Sequence, residues 1–515
     1  MNKEQILWAD DEIDLLKPHI LFLQNKGYEV TTVTNGRDAL DAISQQNFHL
    51  IILDENMPGI SGLEALQQIK IAQPNVPVIM ITKSEEENIM NQAIGSEIAD
   101  YLIKPVNPMQ ILLSIKKNLH SEALVAQKAT SDYQQEFMSI SQQIAMARTI
   151  DDWYQLYNTL VRWELTLSNA ETGMADMLRM QKLEANSAFA KMVKRNYEKW
   201  VTTDDHPLMS NEIFKTQIFP HIDAGEKVCF IVIDNFRLDQ WRTISPLLND
   251  YFNIEKEELY TTILPTATQY ARNAIFSGLM PIDIERMFPE LWVDEDEDEG
   301  KNLNEAPLIQ TILDRYRRKC KFSYNKLNDS AAGERLVQHF AQLKNFDLNV
   351  IVFNFVDILS HARTESKMIR ELAYTDEAYR SLTVTWFKNS YVLEIFKRIA
   401  EQGWKIVLTT DHGTTRVDNA IKVIGDKNTN TNLRYKVGKN LSYNPRQVYE
   451  IKQPKRFGLP LLNVSSTYIF ASGRDFFAYP NNYNHYVQYY NDTFQHGGIS
   501  MEEMLVPLIT LTPKK

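Results

Sequence analysis

Two groups of residues in this sequence have the types and spacing to handle phosphate. The first lies near the N-terminus. Asp10 and Asp11 follow the apolar run QILWA, Asp54 ends HLIILD, Thr82 ends VPVIMIT and Lys104 ends DYLIK. Three carboxylates in one crevice repel one another unless a cation sits among them, and all-oxygen ligands suit Mg2+. Asp54 would then attack a phosphoryl donor and form an aspartyl phosphate, with Lys104 paired to the phosphoryl oxygens and the Thr82 hydroxyl bonded to them.

The second group is spread over the last three hundred residues. VCFIVID ends at Asp234, VIVFNFVD at Asp357, and KIVLTTDH at Asp411 and His412. His361 follows Asp357 by four residues, so one helical turn puts both on one face. His496 lies in QHGGISMEE, where paired glycines permit close backbone approach. Thr268 lies in PTATQYARNAIFSG, a turn leading into a helix whose N-terminus favours an anion. Three Asp and three His suit two borderline metals such as Zn2+ or Mn2+. Two such ions, about 3.5–4 Å apart, clamp both the attacking and the leaving oxygen of an in-line displacement. Singly, each residue reads as a helix cap or a satisfied polar group. The ordered set D…T…DxxxH…DH…HGG is what points to chemistry.

Both groups need elements that end at a common crevice. Residues 1–120 alternate five short apolar runs with amphipathic stretches, which predicts a doubly wound parallel sheet with its chemistry at the carboxyl ends of the strands. Residues 206–515 return to strands and helices. Their fully apolar runs predict parallel strands covered on both faces, in a larger α/β domain. Between them, residues 121–205 contain no proline and a single glycine, Gly173. Trp153, Leu156, Tyr157, Leu160 and Val161 recur at helical spacing, which predicts a helical-bundle connector.

Composition bounds the function. At roughly 100–200 residues per domain, 515 residues predict about three domains. A net charge of −11 gives the chain no general attraction to nucleic acid or anionic membrane. The basic stretches KMVKRNYEK (191–199) and RYRRKCK (315–321) are short and interrupted, which argues against a DNA-binding output domain. Two cysteines make no disulfide framework. The start carries no signal-peptide core, and no apolar run reaches the roughly 18 residues of a membrane span. The expectation is a cytoplasmic protein with no membrane span. The six acidic residues at 294–299 are expected to form a solvated loop.

The first group resembles the site of a response-regulator receiver domain, in the acidic pair Asp10-Asp11, DENMPG at 54–59, Thr82 and Lys104-Pro105. The resemblance implies phosphorylation of Asp54 by a sensor histidine kinase and Mg2+ held by Asp10, Asp11, Asp54 and Asn56. It also implies a cis bond before Pro105, and a switch built from Thr82, Tyr101 and Lys104. Phosphorylation is expected to favour a homodimer through receiver and connector.

The second group resembles the alkaline phosphatase superfamily, in its PglZ-type branch, over roughly residues 215–515. One Zn2+ would be held by Asp234, Asp411, His412 and the nucleophile Thr268, and the other by Asp357, His361 and His496. Mn2+ is the alternative metal. Thr268 is preferred to Thr266 because Gly278 follows it at the family's spacing of ten. The carboxylate ligands of a third, magnesium site are not identifiable, which points to the two-metal phosphodiesterases. The order receiver, connector, phosphatase-like domain resembles the response regulators of type IX secretion. The implied function is a phosphorylation-switched phosphodiesterase acting on nucleotide-type substrates. The alternative is a signalling adaptor with a structural metal site that binds a sigma factor or a component of the secretion machinery.

Overall fold

The computed structural model describes residues 3–83, 87–168, 172–293, 302–426, 429–463 and 465–514, so the acidic run 294–299 lies outside the described residues. The chain forms two compact units, Met1–Ser131 and Asp132–Lys515.

In the first unit β1 (Gln5–Ala9), β2 (Glu29–Val33), β3 (Leu50–Asp54), β4 (Val78–Thr82) and β5 (Asp100–Ile103) form a parallel sheet in the order β2-β1-β3-β4-β5. Successive strand residues point to opposite faces. Leu7, Ile51, Leu53, Val78 and Met80 therefore pack with Ala39 and Ile43 of α2 (Gly36–Gln45) and Leu66 and Ile69 of α3 (Gly62–Ala72). Ile6, Trp8, Leu50, Ile52 and Ile79 pack on the other face, against Leu23 of α1 (Lys17–Asn25) and Ile111 and Ile115 of α5 (Pro108–Leu119). The α4 helix (Glu87–Gly95) completes the layer. The strand order reverses at β1 and β3, which opens the crevice at their carboxyl ends.

The connector consists of α6 (Ser121–Met146), α7 (Ile150–Thr166) and α8 (Thr172–Thr202). Trp153, Leu156, Tyr157, Leu160 and Val161 form the buried stripe of α7. The output sheet contains β6 (Val228–Ile233), β7 (Phe252–Thr261), β8 (Phe322–Leu327), β9 (Leu348–Phe353), β10 (Lys405–Thr409) and a closing strand, Leu505–Pro513. Its order is β7, closing strand, β10, β6, β9, β8.

Two expectations are corrected. The sheet is mixed: β10, β6, β9 and β8 run parallel, but the closing strand is antiparallel to both β10 and β7. An all-apolar run reports burial on both faces and carries no strand direction. Asp357 is not at a strand end either. β9 stops at Phe353, and Asp357 sits in the first turn of the helix Phe355–Glu365. That turn is apolar because Phe355 stacks on Trp386 at 4.7 Å. No helix among the described residues is long and apolar enough to cross a membrane.

Candidate active site and metal centres

The receiver crevice gathers Asp10, Asp11 and Asp54 closely enough to share one cation. Asp10 and Asp54 are buried, whereas Asp11 is exposed. Lys104 Nζ lies 2.8 Å from Asp10 and 3.0 Å from Asp54. Burial pushes the Asp54 carboxyl up, with Lys104 opposing. Thr82 is fully buried at the end of β4. Asn56 is exposed in the loop after β3. Tyr101 lies on β5, paired in register with Met80 two residues before Thr82, and the Lys104-Pro105 bond is cis.

In the output domain two triads form, Asp234, Asp411 and His412 on one side and Asp357, His361 and His496 on the other. Asp234 follows β6, and Asp411 and His412 lie just beyond β10, its sheet neighbour. All three are buried. In the second triad Asp357 and His361 share a helix face 3.5 Å apart, and His496 Nε2 is 3.7 Å from Asp357. Here His361 is 60% exposed, so this side opens to solvent. The His412 and His496 rings stack with centroids 4.3 Å apart, which joins the triads into one site. The approach of His496 depends on its glycines: Gly497 has φ +119, and a Cβ on Gly498 would lie 2.5 Å from the Ala471 carbonyl.

Thr268 starts the helix Thr268–Ser277, with Oγ1 at 3.1 Å from His412 Nε2 and 3.4 Å from Asp234 Oδ1. Thr266, the other hydroxyl of the turn, is committed elsewhere. It donates to the Gly498 carbonyl at 2.9 Å and accepts from the Gly497 N–H at 2.9 Å.

The side chains fit metal ligation. His412 Nδ1 and His496 Nδ1 contact the carbonyls of Gly413 and Thr266, at 3.1 and 3.2 Å. A carbonyl only accepts, so each Nδ1 carries the proton and each Nε2 lone pair faces the site. Burial, then His412 beside it, pushes His496 down to about 3, so the ring is neutral near pH 7. Burial, opposed by Arg272 and reinforced by the neighbouring Asp411 and Asp357, pushes the Asp234 carboxyl well above its ordinary value. Asp411 Oδ2 is buried and accepts no hydrogen bond.

Sequence reasoning missed several neighbours of these residues. Asn235, left-handed at φ +61, spans the triads. Its N–H is 3.4 Å from Asp411 Oδ1, and its side-chain amide donates to Asp357 Oδ1 at 3.0 Å. Arg272 Nη2 lies 3.0 Å from Asp234 Oδ2. Its signal was available, since it follows Thr268 by one helical turn. The connector also reaches the site's loops. The Tyr197 hydroxyl of α8 accepts the Leu264 N–H at 2.7 Å, four residues before Thr268. Asn186 of α8 accepts the Met501 N–H at 2.8 Å and donates to Glu502 at 2.9 Å, just after the His496 loop. Lys182 pairs with Glu164 of α7 at 2.6 Å and with Glu502 at 3.2 Å. Arg237, three residues after Asp234, binds Asp239 through two hydrogen bonds, and Asp239 is 3.2 Å from Arg380.

Comparisons with known proteins follow the same division. Residues 6–116 match the response regulator receiver domain, residues 123–201 the PorX response regulator linker domain, and residues 213–511 the BREX system PglZ alkaline phosphatase-like domain. The chain is 32% identical over 115 residues to the transcriptional regulatory protein ResD of Bacillus subtilis, covering 22% of this chain and 48% of that one. It is 27% identical over 258 residues to the transcriptional regulatory protein ZraR of Klebsiella oxytoca, covering 48% and 56%. The chain thus spans about half the length of these relatives. A CheY-like receiver structure from Methanospirillum hungatei is 28% identical, with 23% of this chain and 96% of that one covered and a TM-score of 0.23. The PglZ match takes in more than half of the sequence and carries both triads. With receiver, PorX-type linker and PglZ domain in that order, the chain belongs to the PglZ alkaline phosphatase-like family, as a PorX-like response regulator.

Proposed function

We propose that the protein is a two-component regulator, phosphorylated on Asp54 by a sensor histidine kinase, whose output domain is a two-metal phosphodiesterase. The single observation that carries the enzyme reading is Thr268. Its hydroxyl stands at a helix N-terminus, within 3.4 Å of two residues of one triad, and the second triad opens to solvent beside it. A structural metal site would be closed and would need no hydroxyl there.

Bound Zn2+ or Mn2+ would supply Lewis acidity and lower the pKa of the threonine hydroxyl. Asp234, Asp411 and His412 would hold one ion, and Asp357, His361 and His496 the other. The residues of the chain do the rest. Thr268 Oγ1 gives its proton to solvent water, attacks phosphorus and expels the leaving alkoxide, which takes up a proton from solvent. Water entering on the open His361 side then cleaves the threonine–phosphate ester and restores the hydroxyl. Asn235 fixes Asp357 throughout, through its 3.0 Å hydrogen bond.

Nucleotide-type phosphodiesters are the proposed substrates and type IX secretion the proposed setting, the latter supported by the PorX-type linker. Hydrolysis of bis(p-nitrophenyl) phosphate by metal-loaded protein tests the reading. Thr268→Ala should retain two metals per chain and the native circular dichroism while losing roughly 1,000-fold in kcat. A native rate in that variant would refute Thr268 as nucleophile. A metal-loaded native protein inert to phosphate esters would favour an adaptor that binds a sigma factor or secretion component.

A further inference from the structure

Asp234 has two oxygens with different surroundings. Oδ1 faces Thr268 and His412, at 3.4 and 3.8 Å. Oδ2 faces away from them, 3.0 Å from Nη2 of Arg272. The same guanidinium has Nε 2.9 Å from Glu305 Oε1 and 3.6 Å from Asp411 Oδ2, and Nη1 donates to Asn354 at 3.2 Å. Arg272 is 1% exposed, and the side chains of Asp234, Asp411 and Glu305 are 4%, 0% and 1% exposed. Three carboxylates out of water therefore converge on one cation.

Burying a carboxylate is costly unless a partner neutralises it. Lys326 serves only the far side of Glu305, through Oε2 at 2.9 Å. Ions in the two triads would neutralise Asp234 Oδ1 and Asp411 but would leave Asp234 Oδ2 and Glu305 Oε1, the two oxygens that Arg272 approaches at 3.0 and 2.9 Å. Without Arg272, this second carboxylate pair would call for a further divalent cation.

We propose that the Arg272 guanidinium is the fixed third cation of the site. It holds Asp234 with Oδ1 turned to the triad, and it occupies the place between Asp234 and Glu305 that a third exchangeable ion would take. An arginine side chain neither dissociates nor loses its proton, so this charge is permanent where a bound ion would depend on supply. The inference rests on the two-metal reading of the triads. Arg272 is a positioning residue, acting through Asp234.

Metal content and zinc affinity test it, on full-length native protein, Arg272→Ala and Arg272→Lys. Each is loaded with Zn2+, with and without Mg2+, and read by elemental mass spectrometry and chelator competition. The receiver's own Mg2+ cancels in the difference between variants. Native protein should hold two zinc ions and gain none at the output site from Mg2+. Arg272→Ala should bind zinc roughly 10–100-fold more weakly without Mg2+, the usual cost of losing a group that orients a ligand, and should take up one additional Mg2+ per chain. Arg272→Lys keeps the charge but not the three-point contact to Asp234, Glu305 and Asn354, so it should take up no added Mg2+ while losing part of the zinc affinity. An alanine variant with native zinc affinity and no added ion would overturn the proposal, and so would a lysine variant that takes up an additional Mg2+ as alanine does. If the alanine variant does not fold, the lysine variant alone decides: two zinc ions with no added Mg2+ support the proposal, and an additional Mg2+ overturns it. Native protein that holds no zinc at all would refute the two-metal reading itself, a separate failure.

Discussion

Tyr197→Phe removes one hydroxyl from the connector and nothing else. That oxygen is the acceptor for the Leu264 N–H at 2.7 Å, and both residues are fully buried. Phenylalanine fills the same volume but accepts no hydrogen bond, so the amide is left desolvated and unpaired. The loss should be about 1–3 kcal/mol, the cost of an unsatisfied buried donor. For a unit as long as Asp132–Lys515 that corresponds to a fall of roughly 1–4 °C in melting temperature. Leu264 opens the turn that ends at Thr268, so turnover should fall as well. Displacing a reacting group by about 1 Å costs up to roughly 100-fold. A calorimetric melt and kcat on a chromogenic phosphodiester measure the two effects. Tyr133→Phe is the control. Its buried hydroxyl donates to Gln181 at 2.8 Å within the connector, away from the turn, so it should destabilise comparably and leave kcat native. A Tyr197→Phe protein that melts with the native would sink the argument, and equal losses of kcat in both variants would detach turnover from this bond.

Three other outcomes are expected. Burial works to raise the Asp239, Asp376 and Glu502 carboxyls, but Arg237 over the two aspartates and Lys182 over Glu502 hold all three below their ordinary values. Their stabilisation is therefore complete above the unfolded carboxylate pKa of about 4 and lost as pH falls below it; a pH series of urea melts checks this, and flat stability from pH 5 to 2 contradicts it. A zinc-selective chelator in excess Mg2+ should destabilise the second unit and not the receiver, by about 4 kcal/mol for each ion whose free concentration had stood at a thousand times its Kd. Beryllofluoride should raise the mass seen by light scattering toward a dimer, with Asp54→Ala unresponsive.

Much of this architecture is legible in the sequence, for reasons that differ by element. Strand ends carrying polar residues are visible because burial makes the strands uniformly apolar. The receiver residues and Asp234, Asp411 and His412 stand out where apolar runs stop, whereas His361 is legible only by helical spacing, Thr268 by its turn and His496 by its glycines. Hydropathy fails where two kinds of burial look alike. Asn354, Phe355 and Val356 continue an apolar run past β9, yet they turn into a helix packed on Trp386. Lys182 is hidden for a related reason, and the spacing of Arg272 from Thr268 shows a shared helix face without showing what covers it. A charged residue at helical spacing reads as a solvated face, and only the tertiary structure reveals that a carboxylate from another segment covers it. Asn235 gives no sign at all, since a left-handed asparagine is a local conformation that residue type permits without requiring.

The place of the closing strand has a consequence for synthesis on the ribosome. Leu505–Pro513 lies between β7 and β10, although roughly 250 residues separate it in sequence from β7. At translation rates of about 5–20 residues per second, that interval lasts on the order of 10–50 s. Throughout it the inner edge of β7 has no partner, and that of β10 has none for the last roughly 5–20 s, leaving backbone donors and acceptors that would pair with any extended chain nearby. His496 emerges only nine residues before the closing strand. The crevice and the sheet are thus completed within the same moment of translation. A nascent chain has no complete second triad while its edges are open, and one stalled before residue 496 lacks both His496 and the strand that fills the gap between β7 and β10.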